Sequence, residues 1–136
     1  MSVIQLHDIT KTYNKDRVPV KAVRGVDMTL EKGEFTAIVG PSGSGKTTLL
    51  NIIGGLDEPD TGHVMIGDTR LFDLPENKLI RFRLHHIGFV FQSYNLIPVL
   101  TALENVIFIL QMQGIAQKEC IRRGTTLLER VGLEEK

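Results

Sequence analysis

The run Gly40-Pro41-Ser42-Gly43-Ser44-Gly45-Lys46-Thr47 constrains this chain more than any other feature, because it fits the pattern G-x-x-x-x-G-K-[ST]. A loop that wraps a phosphate needs successive N–H groups pointing inward, and side chains would obstruct them. Gly43 and Gly45 remove that obstruction. The flanks agree with the loop. Phe35–Val39 is a short continuous apolar run, as expected of a strand buried on both faces. Lys46–Ile53 has helical spacing, with Leu49, Leu50, Ile52 and Ile53 as its apolar set, and Gly54-Gly55 ends it. A helix that starts at the loop presents unpaired N–H groups and a positive dipole end to an anion. Lys46 supplies a point charge for β- and γ-phosphates, and the Thr47 hydroxyl can take one Mg²⁺ position. The motif therefore reads as a site for a nucleoside triphosphate with Mg²⁺, without identifying which class of P-loop protein carries it.

The rest of the chain supplies an α/β frame for that loop. Val3–Tyr13 alternates apolar and polar residues and reads as a strand. Val20–Leu30 does so again, with Ala22 or Val23, Val26, Met28 and Leu30 as its apolar positions. Two such strands around the polar loop 14–19 predict an antiparallel layer. His63–Ile66 reads as a short strand followed by a turn at Gly67-Asp68, and Leu74–Leu84 as a helix with Leu79, Ile80 and Phe82 inward. Ile87–Phe91 is a second apolar run of the buried-strand type. Thr101, with Glu104 three residues on, predicts a capping box at the head of a helix reaching Met112. Gln117–Val131 reads as a further helix, with Cys120 or Ile121, Leu127, Leu128 and Val131 on its apolar face.

Composition narrows the partners. Sixteen Lys and Arg balance sixteen Asp and Glu, so there is no basic excess of the kind that nucleic-acid binding uses. The longest apolar runs are far shorter than the roughly 20 residues of a spanning helix, so a membrane role has to pass through a partner. No signal peptide is recognisable at the N-terminus. One cysteine, Cys120, cannot form an internal disulfide and fits a packing position better than a reactive one. The adjacent His85-His86 diverge on any regular element and have no Cys or Glu cluster beside them. Arg122-Arg123 reads as a solvated helix face.

Beyond the P-loop, several segments resemble the ATPases of ABC transporters. Ile9-Thr10-Lys11-Thr12-Tyr13 precedes the P-loop at the distance where that family places an adenine-stacking aromatic. Gly40–Leu50 resembles its Walker A, Gly54-Gly55-Leu56-Asp57 with Pro59 and Gly62 its following segment, and Ile87-Gly88-Phe89-Val90-Phe91-Gln92 its Q-loop strand. The stretches Ser93–Pro98 and Leu100–Val106 are similar to the subfamily of lipoprotein-releasing and macrolide-exporting ATPases. The resemblance implies an α/β P-loop NTPase core with an N-terminal antiparallel β layer and the start of a helical subdomain. Residues 1–100 would form the ATP-binding core and 101–136 the helical start, incomplete relative to the family's full domain. It implies that Tyr13 stacks on adenine, that Ser42, Gly43, Ser44, Gly45, Lys46, Thr47 and Thr48 cradle the phosphates, with Gly40 and Pro41 also in the cofactor-binding set, and that Thr47 and Gln92 coordinate Mg²⁺. The implied cofactors are ATP and Mg²⁺. The implied partners are transmembrane permease subunits, met near Tyr94–Thr101, and a second ATP-binding subunit. The implied location is cytoplasmic, peripheral to the inner membrane through those partners. On the residues alone, the lesser alternative for Tyr13 is an ordinary aromatic at a strand end, and for Gln92 a solvated polar residue after a strand.

The family's hydrolysis machinery also needs a Walker B strand ending in Asp-Glu, a signature loop and a switch histidine, and none follows Gln92. Leu56-Asp57-Glu58-Pro59 imitates a Walker B ending but follows two glycines instead of an apolar strand. In Val64-Met65-Ile66-Gly67-Asp68, Gly67 interrupts the run and no Glu follows. Both read as turns. Asn77-Lys78-Leu79-Ile80 begins like a guanine-specificity motif but lacks its Asp. The expectation is an ATP-binding portion without useful hydrolysis of its own; the alternative is a non-catalytic nucleotide-binding module.

Overall fold

A computed structural model describes residues 2–133. Its elements are β1 (Ser2–Tyr13), β2 (Val20–Glu31), α1 (Lys46–Ile53), β3 (Thr61–Ile66), β4 (Thr69–Arg70), a 3₁₀ turn (Leu71–Asp73), α2 (Glu76–His86), α3 (Ala102–Met112) and α4 (Gln117–Arg130). The chain divides into two compact units, one ending at Arg83 and the other beginning at Leu84.

The first unit is an antiparallel sheet of order β2-β1-β3-β4 with α1 packed on it. β1 is not a plain alternating strand. Leu6 and Ile9 are three residues apart and would point to opposite faces, yet both are buried. A break in register between them, with Asp8 at φ 46°, resets the pleat so that both face the core. The Asp8 N–H at the break donates to Asp27 Oδ1 at 3.0 Å, which satisfies a group the ladder leaves unpaired. Gly62 at the head of β3 passes so close to the His7 and Asp8 carbonyls that any Cβ would collide with them. Leu6, Ile9 and Val23 from β1 and β2, Leu49 and Ile52 from α1, Val64 from β3 and Leu71 from the 3₁₀ turn make one core. α2 adds Leu79 and Phe82 to its margin, whereas Ile80, expected inward, is half exposed.

The second unit contains a helical hairpin. Thr101 caps α3 as its spacing predicts: its hydroxyl accepts from the Glu104 N–H at 3.2 Å, and the Glu104 carboxylate accepts from the Thr101 N–H at 2.7 Å. α3 and α4 cross where Gly124 meets Ile107 and Leu103, so closely that a Cβ at 124 would overlap Ile107. Cys120 is fully buried and its thiol donates to the Ile115 carbonyl at 3.3 Å. Arg122 and Arg123 share the Glu119 carboxylate on the solvated face.

Two expectations fail. Neither Phe35–Val39 nor Ile87–Phe91 forms a strand, and neither run is buried: Phe35 is 97% exposed and Val90 wholly so. A strand buried on both faces needs a hydrogen-bonded neighbour at its edges and packed layers above and below. Among the described residues no strand pairs with either run. Ile38 alone turns inward to touch the core.

Candidate nucleotide-binding site

The loop at 40–45 takes its shape from glycine. Gly43 and Gly45 have φ of 78° and 89°, a conformation that costs other residues energy. At Gly45 the requirement is doubled, since a Cβ would strike the Ala22 carbonyl of β2. That close approach seats the end of the loop against the sheet and starts α1 there. Gly40 lies against Ser44, whose Oγ would be 2.8 Å from any Cβ at position 40. No side chain caps α1 at its N-terminus. Its first-turn N–H groups and dipole are therefore left for an anion from outside the helix.

Lys46 curls back over this loop. Its ammonium donates to the carbonyls of Gly40 at 2.8 Å and Pro41 at 2.7 Å, and to Ser44 Oγ at 3.3 Å. The positive charge is thus held at the loop by neutral acceptors, which anionic oxygens exceed as partners. Pro41, Ser42, Gly43 and Ser44 are exposed, and Thr47 and Thr48 lie in the first turn of α1. Backbone donors, a cation and two hydroxyls together fit a polyphosphate and, at Thr47, one oxygen ligand for a hard cation.

Tyr13 ends β1, and its hydroxyl donates to Asp57 Oδ2. The hydroxyl of Thr48 also acts on it, so Tyr13 stands beside the P-loop helix. The Asp57 hydrogen bond, helped by burial, raises the phenol above its ordinary value. Lys11, two residues earlier and therefore on the same face, donates to Asp57 Oδ1 and the Glu58 carbonyl, both at 2.6 Å. Its ammonium lies 5.4 Å from the centre of the Tyr13 ring. Partial burial pulls the Asp57 carboxyl upward, but the hydrogen bonds from Lys11 and Tyr13 outweigh it and leave the group below its ordinary value. Sequence reasoning treats Asp57 as a turn residue and Lys11 as part of a strand. Their pairing spans 46 positions, and no local pattern signals it.

Gln92 belongs to the second unit and is exposed, at the end of the run 87–91. The segment after it is open, with Tyr94, Leu96 and Val99 largely exposed and Asn95 at φ 46°. Asn105 of α3 organises that segment. Its amide donates to the Ile97 and Leu100 carbonyls at 3.2 and 3.1 Å, and its Oδ1 accepts from the Ile97 N–H at 2.8 Å. Asn105 is a structural key that the sequence reading passes over. An Asn inside a helix, eight residues after an exposed Ile-Pro pair, is the only signal that could have pointed to it.

A P-loop at the head of a helix on an antiparallel β layer defines a phosphate-binding α/β class. The sequence profile of a family described as ABC transporter matches residues 23–136. The chain is 47% identical over 134 residues to an uncharacterized ABC transporter ATP-binding protein of Thermotoga maritima, covering 98% of this chain and 57% of that one. It is 43% identical to the lipoprotein-releasing system ATP-binding protein LolD of Bacteroides fragilis, with 98% and 60% covered. To the macrolide export ATP-binding/permease protein MacB of Rhodopirellula baltica it is 42% identical, over 96% of this chain and 19% of that protein. A dimeric structure of the ATP-binding cassette MJ0796, from Methanocaldococcus jannaschii, in a post-hydrolysis state bound to ADP and Pi superposes with a TM-score of 0.88 at 43% identity. That match covers 97% of this chain and 58% of the cassette. The chain belongs to the ABC transporter family, and its fold is an incomplete P-loop α/β domain. It spans about three fifths of the length of the ATP-binding relatives it matches, between 57% and 60%. Among the described residues no helix is long and apolar enough to cross a membrane.

Proposed function

We propose that this chain is the ATP-binding portion of an ABC transporter ATP-binding subunit. The observation that carries the reading is the loop 40–45 feeding an uncapped helix, with Lys46 held over it and Tyr13 fixed beside Thr48. In this reading the first turn of α1 and Lys46 take the phosphates, Tyr13 takes the adenine face, and Thr47 supplies an oxygen to Mg²⁺. When bound, the metal neutralises charge on the β- and γ-phosphates. Thr47, in the first turn of α1, would supply its hydroxyl oxygen to that metal.

The transport role follows from relatives whose names state lipoprotein release and macrolide export. By analogy, this chain couples nucleotide binding to membrane subunits at the cytoplasmic face of the cell membrane, for export or lipoprotein release. The exposed segment 94–101 braced by Asn105 is the surface offered to those subunits. A dimeric neighbour supports a second ATP-binding subunit as the other partner.

Thermal unfolding of the chain titrated with Mg-ATP, beside Lys46→Ala, tests the binding reading. A parent transition that rises with ATP, and a variant that does not respond, is the expected result. Binding to the folded state alone contributes about 2.7 kcal/mol at a ligand concentration near 100 times Kd. A parent without any ATP response sinks the proposal. Because these 136 residues contain no strand-end Asp-Glu pair, phosphate release at background is expected. Lys46-dependent release from the purified chain would overturn that part.

A further inference from the structure

Asp57 bridges two parts of the proposed nucleotide site that lie far apart in sequence. Lys11 and Tyr13 are two residues apart on β1 and so share a face. Asp57 meets that face with both oxygens, Oδ1 on the Lys11 ammonium and Oδ2 on the Tyr13 hydroxyl. Asp57 is itself tied to α1, since the N–H groups of Leu56 and Asp57 donate to the Asn51 carbonyl at 2.8 and 3.3 Å. The carboxylate thus connects the strand that carries the aromatic to the helix that carries the phosphate loop.

We propose that Asp57 is a positioning residue that orients the Tyr13 ring toward the P-loop helix, so that one nucleotide meets ring and loop together. The inference rests on the reading of Tyr13 as the base-stacking aromatic. Tyr13 needs such a tie: it is the last residue of β1, and Asn14 after it has φ 53° and opens the loop. A ring at a strand end that is held only by its Cα would keep its rotamer freedom and lose it on binding. The hydrogen bond to Asp57 removes that freedom beforehand. Lys11 has a second use here. It cancels the negative charge that an unpaired carboxylate would set beside a polyphosphate, and its side chain is only 15% exposed, so solvent screens the pair little.

The backbone around Tyr13 is held by other means. The Asp60 N–H donates to the Thr10 carbonyl at 2.8 Å, and Asp60 Oδ2 accepts from the Thr12 N–H at 2.7 Å. Thr10 also pairs with Thr61 in the β1–β3 ladder. Removing the Asp57 carboxylate therefore frees the ring without freeing the strand.

The test measures dissociation constants of Mg-ATP and of inorganic tripolyphosphate for the parent chain, Asp57→Ala, which leaves the Tyr13 hydroxyl no acceptor at position 57, Tyr13→Phe and the double variant. Tyr13→Phe keeps the ring and removes only the hydroxyl, so it breaks the contact from the other side. Tripolyphosphate has no base and reports an intact P-loop. The expected result is that the affinity for ATP relative to tripolyphosphate falls about three- to tenfold in each single variant, with tripolyphosphate unchanged in Tyr13→Phe and bound no more weakly in the Asp57 variant, where Lys11 loses its counter-charge. The double variant should be no worse than either single one, as for two ends of one contact. If both single variants keep the parent ratio of ATP to tripolyphosphate affinity, or if their losses add, the positioning role is overturned. A parent that binds neither ligand overturns the phosphate-site reading instead. A parent that binds both equally overturns base stacking at Tyr13.

Discussion

Glycine at position 45 answers two demands at once, and that makes it the most exacting residue of the site. Its φ of 89° excludes most side chains, and the Ala22 carbonyl occupies the place of any Cβ. Gly45→Ala should cost at least about 2 kcal/mol in denaturant unfolding, combining left-handed strain with overpacking. Loss under about 0.5 kcal/mol, the range of ordinary surface substitutions, would mean that the loop moves aside freely. The Lys11–Asp57–Tyr13 group makes a second prediction, on pH. Asp57 is lowered from its ordinary 3.8, so its contribution is complete above that value and fades as pH falls through the lowered folded value. Tyr13 is raised from 10.0 and Lys11 from 10.5, both through Asp57 first, so their contributions are complete below those values and fade as pH rises through the raised ones. Stability should therefore hold level between these limits and fall on both sides. Asp57→Asn should flatten the alkaline fall, which unfolding midpoints across pH would reveal; an unchanged alkaline limb would show that the group does not couple to folding.

At the scale of elements, legibility follows how local the cause is. α1 runs over the residues its spacing indicates, because an apolar stripe and a bounding Gly pair are written within one short segment. The α3 capping box is equally local, needing only Thr101 and Glu104. Thr101→Ala removes the hydroxyl half of the box, leaving the Glu104 carboxylate on the residue-101 N–H, and should cost about 1 kcal/mol of stability in the second unit, read by helical circular dichroism during unfolding. No loss would show that the α3–α4 contact alone fixes the start of that helix. The strand break at Leu6–Ile9 is less legible, since alternation predicts one straight strand, and the partners of the break, Asp27 and Gly62, are distant in sequence. Asp57 is least legible of all. Its neighbours Gly54, Gly55 and Pro59 say turn, and they are right about the backbone while silent about the carboxylate.

Taken as a whole molecule, the chain holds the residues proposed to meet a nucleotide but leaves two apolar runs without strand neighbours among the described residues. The P-loop depends on β2, α1 and the core around Ile9 and Ile52, all within the first unit, and this is why the site is well formed. The runs 35–39 and 87–91 depend on partners at their edges instead. Phe35, Val39, Val90 and Phe91 are exposed together with unpaired backbone groups, a combination that favours pairing with other chains. The balanced charge of the chain adds no net repulsion against such contacts near neutral pH. Light scattering of the purified chain should therefore show a mass that rises with concentration, and more steeply in sulfate, which strengthens apolar burial. The double variant Phe35→Thr with Val90→Thr keeps strand propensity but removes apolar area, so it should lower that mass while leaving the response to Mg-ATP in place. A parent that stays monodisperse across the whole range would mean that these runs are covered in solution by the chain itself.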